Sequence, residues 1–100
     1  MEFEFQISGE MFKWRGPSPF HFVRVLADES KVIKAEANLL SYGWGVIPIH
    51  GEIGETTFTT SLIPKDGCYL IPIKDAVRKA ENLEISEAVE VRFNLGKLSP

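Results

Sequence analysis

Phe3, Phe5 and Ile7 alternate with Glu4, Gln6 and Ser8, a period of two that predicts a strand with one buried face. Phe12 and Trp14 fall on the opposite parity, with Gly9 near the change. A bulge or bend is expected there, because a one-residue slip exchanges the two faces of a strand. Arg15-Gly16-Pro17-Ser18-Pro19 reads as a loop, since proline neither donates to a ladder nor propagates a helix. Phe20 to Leu26 is aromatic and β-branched enough for a second strand. Asp28 is then placed to N-cap a helix running to about Leu40, with Ile33, Ala37 and Leu40 inward and Lys31, Lys34 and Asn38 in solvent.

Trp44 to Ile53 returns to strand, with Ile47, Ile49 and Ile53 on one face and Trp44, His50 and Glu52 on the other. Gly54-Glu55 suits a two-residue type II′ hairpin turn into the strand Thr56 to Ile63. Pro64-Lys65-Asp66-Gly67 forms a second turn into the strand Cys68 to Ile73. From Lys74 to Leu83 the period becomes helical, with Ile73, Val77 and Ala80 spaced to face a core and Asp75 near the helix start. Val89, Val91, Phe93 and Leu95 then alternate with Glu90, Arg92 and Asn94 in the clearest strand of the chain, and residues 96–100 read as a frayed tail.

The expected fold is mainly β, six or so strands with two short helices, because the connections are too short for the crossovers of a doubly wound sheet. A small closed or nearly closed barrel capped by helices fits best. Pro48 and Pro72 each stand between isoleucines, and proline in a strand marks an edge or a break in pairing, so the ladder is expected to split in two places. Strand-helix-strand also occurs twice. Val32 to Leu39 resembles Val77 to Leu83 with one residue inserted, which points to an internal pseudo-repeat. The 100 residues form one domain of a size that supports a core without metal or disulfide staples.

Cys68 is the only cysteine, which removes intramolecular disulfides and cysteine-rich metal sites and favours a reducing, cytoplasmic setting. The N-terminus lacks the basic start and long apolar run of a signal peptide, and Pro48, Gly51 and Glu52 interrupt the most hydrophobic stretch, so neither secretion nor a membrane span is expected. A formal net charge of −3 disfavours a nonspecific nucleic-acid binder.

Candidate chemistry falls in two places. Trp14, Phe20, His21 and Trp44 gather around the proline loop and a glycine-flanked strand start, where exposed rings would make an apolar, stacking ligand pocket and buried ones would plug the barrel. Lys74 and Arg78 share a helix face with Lys79 beside them and could hold an anion or nucleic acid, while Asp75, Glu81, Glu84 and Glu87 are near enough in sequence to neutralise them. His21 and His50 show no metal-ligand spacing. His50 and Glu52 share a strand face that could orient an imidazole, but Ser61 and Cys68 lack the surroundings of a nucleophile, and the threonines from Thr56 to Thr60 suit a strand. No catalytic motif and no cofactor are expected. The leading expectation is a monomeric, noncatalytic module that binds a small ligand or a protein partner, with nucleic-acid binding through Lys74, Arg78 and Lys79 as the alternative.

Phe3-Glu4-Phe5, Trp14 with Gly16-Pro17, Phe20-His21-Phe22-Val23, Gly43-Trp44-Gly45 and Tyr69 to Lys74 followed by Ala76 to Ala80, taken in order, resemble domain-of-unknown-function family 1905. Similar proteins often carry Gly-Asp where this chain has Ser86-Glu87, a change in turn chemistry. The resemblance implies a double-split β-barrel, the architecture of transition-state-regulator and antitoxin DNA-binding domains, with Tyr69 to Phe93 similar to one half. It implies no activity, because fold does not fix function.

Overall fold

The computed structural model describes residues 3–14, 20–39 and 46–96. Its elements are β1 (Phe5–Trp14), β2 (Phe20–Val25), α1 (Ala27–Leu39), β3 (Ile47–Ile53), β4 (Thr56–Lys65), β5 (Cys68–Ile73), α2 (Asp75–Ala80) and β6 (Ala88–Leu95). The strands close into an all-antiparallel barrel in the order β1-β2-β5-β4-β3-β6. The mainly β fold with six strands and two helices is the one the alternation predicts.

Inside the barrel, Met11, Val23, Ile47, Ile49, Leu62, Ile71, Val91 and Phe93 are almost wholly shielded from solvent, and Phe5 stacks on Phe93 at 5.2 Å. Each such side chain contributes about 1.5–3 kcal/mol on burial, so the interior face of the strands supplies most of the apolar stabilisation. From α1, Ile33 and Ala37 join the same cluster. Ser30, buried beside them, donates from Oγ to the Val25 carbonyl and accepts from the Tyr69 N–H, each at 3.1 Å, where the β2·β5 ladder ends.

Two long strands change partners along their length. β1 pairs with β6 from Phe5 to Glu10 and with β2 from Met11 to Trp14. β4 pairs with β3 from Thr56 to Leu62 and with β5 from Ile63 to Lys65. The element order β-β-α-β therefore occurs twice with matching connectivity, and β1 corresponds to β4. The splits lie in β1 and β4 rather than at Pro48 in β3 or Pro72 in β5. Pro72 borders one of them, two residues past the last β5·β4 pair at Leu70.

Several boundaries differ from expectation. β1 itself carries no extra residue; the bulge lies opposite, where Met11 accepts from the Ser86 N–H at 2.8 Å and donates to the Glu87 carbonyl at 3.1 Å with Ser86 at φ 72°, while Phe12 and Trp14 face outward and Met11 keeps the inward parity of Phe5 and Ile7. The parity change in the sequence records aromatic rings on the outer surface, where Phe12 lies 5.9 Å from Phe22. The helix α1 starts at Ala27, which puts Asp28 inside its first turn, and the expected inward Leu40 lies outside the described residues. Pro64 and Lys65 belong to β4, leaving a tighter turn of Asp66 and Gly67, both with positive φ (52° and 79°). At the β3–β4 turn Gly54 alone takes positive φ (58°), as a first-position glycine should. The helix α2 stops at Ala80, which is exposed; Leu83 packs on the core in its place. Gly96, expected in the tail, is buried and donates its N–H to the Pro48 carbonyl at 2.7 Å. Residues 97–100 are outside the described set.

Candidate functional site

Past Ile63↔Leu70 the two strands of the β4–β5 hairpin part company: β4 follows β3, while β5 follows β2. The gap between them is a groove of about 650 Å³, walled by Thr60, Ser61 and Ile63 on one side and by Pro72 and Lys74 on the other, with Val46 and Pro48 at its flank. A second depression of about 370 Å³ shares Thr60, Pro72 and Lys74 with it and extends to Phe20, His21 and Asp75. The lining thus joins apolar surface, two hydroxyls, an imidazole and an ammonium. Proline at position 72 withholds a backbone donor just where the strands separate.

Phe20 and His21 meet Lys74 in this second depression, so the structure brings part of the ligand-pocket candidates together with one of the anion-contact candidates. Register places Lys13, His21 and Ile73 in one row across β1, β2 and β5. Burial, the Arg78 guanidinium and the Lys13 ammonium hold His21 below the ordinary imidazole value of 6.5, against a smaller opposing pull from Asp75. Arg78 is half-buried and paired with Asp75 at 3.2 Å; its Nε is shielded from solvent and has no hydrogen-bond partner among the described residues. Lys79 is exposed on the same short helix. Of the acids expected to neutralise these cations, Glu81 accepts instead from the Thr56 hydroxyl at 2.5 Å, and Glu87 accepts from the Glu84 N–H.

Trp14 is 40% and Phe20 57% exposed, so neither ring plugs the barrel. Phe20 leans toward Phe22, with centroids 6.3 Å apart. Trp14, the last residue of β1, lies 3.6 Å beneath the ammonium of Lys65, the last residue of the equivalent strand β4. Trp14 does not line the groove, and Trp44 lies outside the described residues.

A third depression, of about 400 Å³, lies over the outer face of β3 and β4, lined by Phe3, His50, Glu52, Thr57 and Thr59. His50 and Glu52 share that face but do not serve each other: the Glu52 carboxylate accepts from Arg92 Nη2 at 3.0 Å, and His50 Nδ1 contacts the Gly96 carbonyl at 3.0 Å. No group of three or more His, Cys, Asp or Glu capable of holding a metal occurs among the described residues. No described helix is long and apolar enough to cross a membrane.

A sequence profile for the domain of unknown function DUF1905 matches residues 8–93. The chain belongs to the DUF1905 family. No curated protein matches the sequence. Every groove residue of this DUF1905 domain named above falls within the matched span. Of these, Thr60 and Ser61 read in the sequence as ordinary strand residues. The local signals were Pro72 between two isoleucines and the candidates Phe20, His21 and Lys74.

Proposed function

We propose that this DUF1905 domain is a noncatalytic binding module whose ligand is a small molecule seated in the groove between β4 and β5. The observation that carries this reading is the groove itself: a concave gap of about 650 Å³ at a strand split, with apolar walls and a few convergent polar groups. That size and mixed lining match small-molecule sites, which run from about 300 to 1,000 Å³. Ile63, Pro72 and Val46 offer apolar surface to the ligand body, while Thr60 and Ser61 offer hydroxyls that fix its orientation.

Nucleic-acid binding draws support from exposed Lys74 and Lys79 and is opposed by the net charge of −3 and by the Arg78–Asp75 pair. The unpaired Cys68 supports a reducing compartment such as the cytoplasm, and the closed ladder, which leaves no long strand edge to pair with a second copy, supports a monomer.

A thermal-shift panel of nucleotides, sugars and small amphipathic acids tests the reading, because a ligand that binds only the folded state raises its melting temperature. A rise of several degrees with one class, abolished in Ser61→Trp, which fills the groove, is expected. A rise that persists unchanged in Ser61→Trp places the ligand elsewhere and overturns the proposal.

A further inference from the structure

We propose that the groove binds a small organic anion, its phosphoryl or carboxylate head held by Arg78, His21 and Lys13 at the barrel end and its body lying along Thr60, Ser61 and Pro72. This rests on the groove reading above and names the chemistry of its ligand.

Three observations converge on the head group. First, His21 lines the second depression, and beside it, outside the lining itself, stand Lys13, its cross-strand partner, and Arg78, which acts on the His21 charge from the helix that follows β5. Lys74 adds an ammonium where the two depressions join. Secondly, the described carboxylate acting on His21 is Asp75 alone, and it is engaged by one Arg78 nitrogen, so Lys13 and Lys74 stand in excess of the local negative charge. In a protein with a net charge of −3 such a local excess is not a by-product of composition. Thirdly, Arg78 Nε is out of solvent with its hydrogen unused, a donor left without an acceptor among the described residues. Guanidinium presents a fork of donors suited to carboxylate and phosphate oxygens.

Binding should also take up a proton. His21 faces Lys13 from β1 and Arg78 and Asp75 from α2, and its two cationic neighbours disfavour the imidazolium in the free protein. An anion seated among them reverses that balance. The imidazole then protonates and supplies a second donor, so affinity rises as pH falls through the range where His21 titrates. Each unit by which the anion raises the His21 pKa corresponds to tenfold tighter binding to the protonated form.

The test follows the ring protons of His21 by NMR, together with the backbone amides of Thr60 and Ser61, in titrations with n-butyl phosphate, butyrate and n-butanol. The expected result is an upward displacement of the His21 titration with one or both anions, movement of the groove amides with the same midpoint, and an unchanged His50 ring. The tighter-binding anion identifies the head as phosphoryl or carboxylate. Arg78→Gln and Lys13→Gln each weaken binding about tenfold, and Lys79→Gln leaves it unchanged. If n-butanol moves the groove amides while neither anion moves His21, the groove reading stands and the anion inference falls. If no probe moves either, both fall. Anion binding of equal strength in both Arg78→Gln and Lys13→Gln also overturns the inference.

Discussion

His50 donates from Nδ1 to the carbonyl of Gly96, 3.0 Å away, at the place where the β3·β6 register calls for the N–H of residue 48, which is proline. The pair opposite, Gly96 N–H to Pro48 carbonyl, is made at 2.7 Å, so only the return bond is missing from the ladder, and the side chain two residues along supplies it. A carbonyl can only accept, which fixes the proton on Nδ1 and turns a lone pair on Nε2 outward in the neutral ring. His50→Ala is expected to lower stability by about 1–2 kcal/mol in denaturant melts, since the buried carbonyl loses its partner. Pro48→Ala in that background restores a main-chain donor and should recover much of the loss. If the two substitutions prove additive, His50 is not standing in for the missing N–H.

Ser30 is the one buried polar side chain among the described residues, and both capacities of its hydroxyl are used, toward Val25 and Tyr69. Ser30→Ala removes a donor and an acceptor at once and leaves the Tyr69 N–H unmet, at an expected cost of about 2 kcal/mol. Hydrogen exchange at the Tyr69 amide should accelerate beyond what the global loss explains. An unchanged melt would mean that the end of the β2·β5 ladder is held by the strands alone.

The alternation of Phe5, Ile7, Val89, Val91 and Phe93 made the barrel walls legible, because a strand with one buried face must write its period into the sequence. The change of partner in β1 was not legible as such. Its outward Phe12 and Trp14 mimicked a bulge, since exposed aromatics on a sheet surface carry the same hydrophobic signal as buried ones. The groove was hidden for a different reason. It is made by an absence of pairing between β4 and β5, and pairing is a long-range property that Thr60, Ser61 and Pro72 do not encode one by one. The Lys13–His21–Arg78 gathering likewise needs three elements to meet; only Phe20-His21 and Lys74-Arg78 could be marked, separately, in the chain.

Glu36 on α1 meets the Glu4 side chain, and the shared hydrogen bond, then burial, then repulsion between the carboxylates raise the Glu36 pKa above its usual 4.5. A carboxyl whose folded value lies above its unfolded one favours folding fully below the unfolded value, and that contribution is lost as pH rises through the folded value. Wild-type stability should therefore fall from this site as pH rises past the ordinary value of 4.5 and through the raised folded one. Glu36→Gln, which keeps a hydrogen-bonding group without the charge, should flatten that slope while leaving the low-pH stability near wild type. A pH profile identical in wild type and variant would show that the two carboxylates do not communicate in solution.

Gly9 and Gly51 separate a close approach that can yield from one that cannot. A Cβ on Gly51 would overlap the Arg92 carbonyl oxygen and come within 2.8–2.9 Å of Phe93, in the middle of the β3·β6 ladder, where neither backbone can retreat. Gly51→Ala is expected to prevent folding or to destabilise by more than about 3 kcal/mol. Gly9 sits just before β1 leaves β6 for β2, and a Cβ there would stand 3.0 Å from the Arg24 carbonyl oxygen and 3.1 Å from Val23. Those contacts can open by a few tenths of an ångström if β2 moves outward beyond its last pair with β1 at Val23. Gly9→Ala should then cost about 1–2 kcal/mol, fold normally, and perturb the amides of Val23 to Val25 more than those of β6. Equal losses from the two substitutions would mean that β1 is as tightly held at its change of partner as β3 is within its ladder, and that the first split is not the yielding point its geometry makes it.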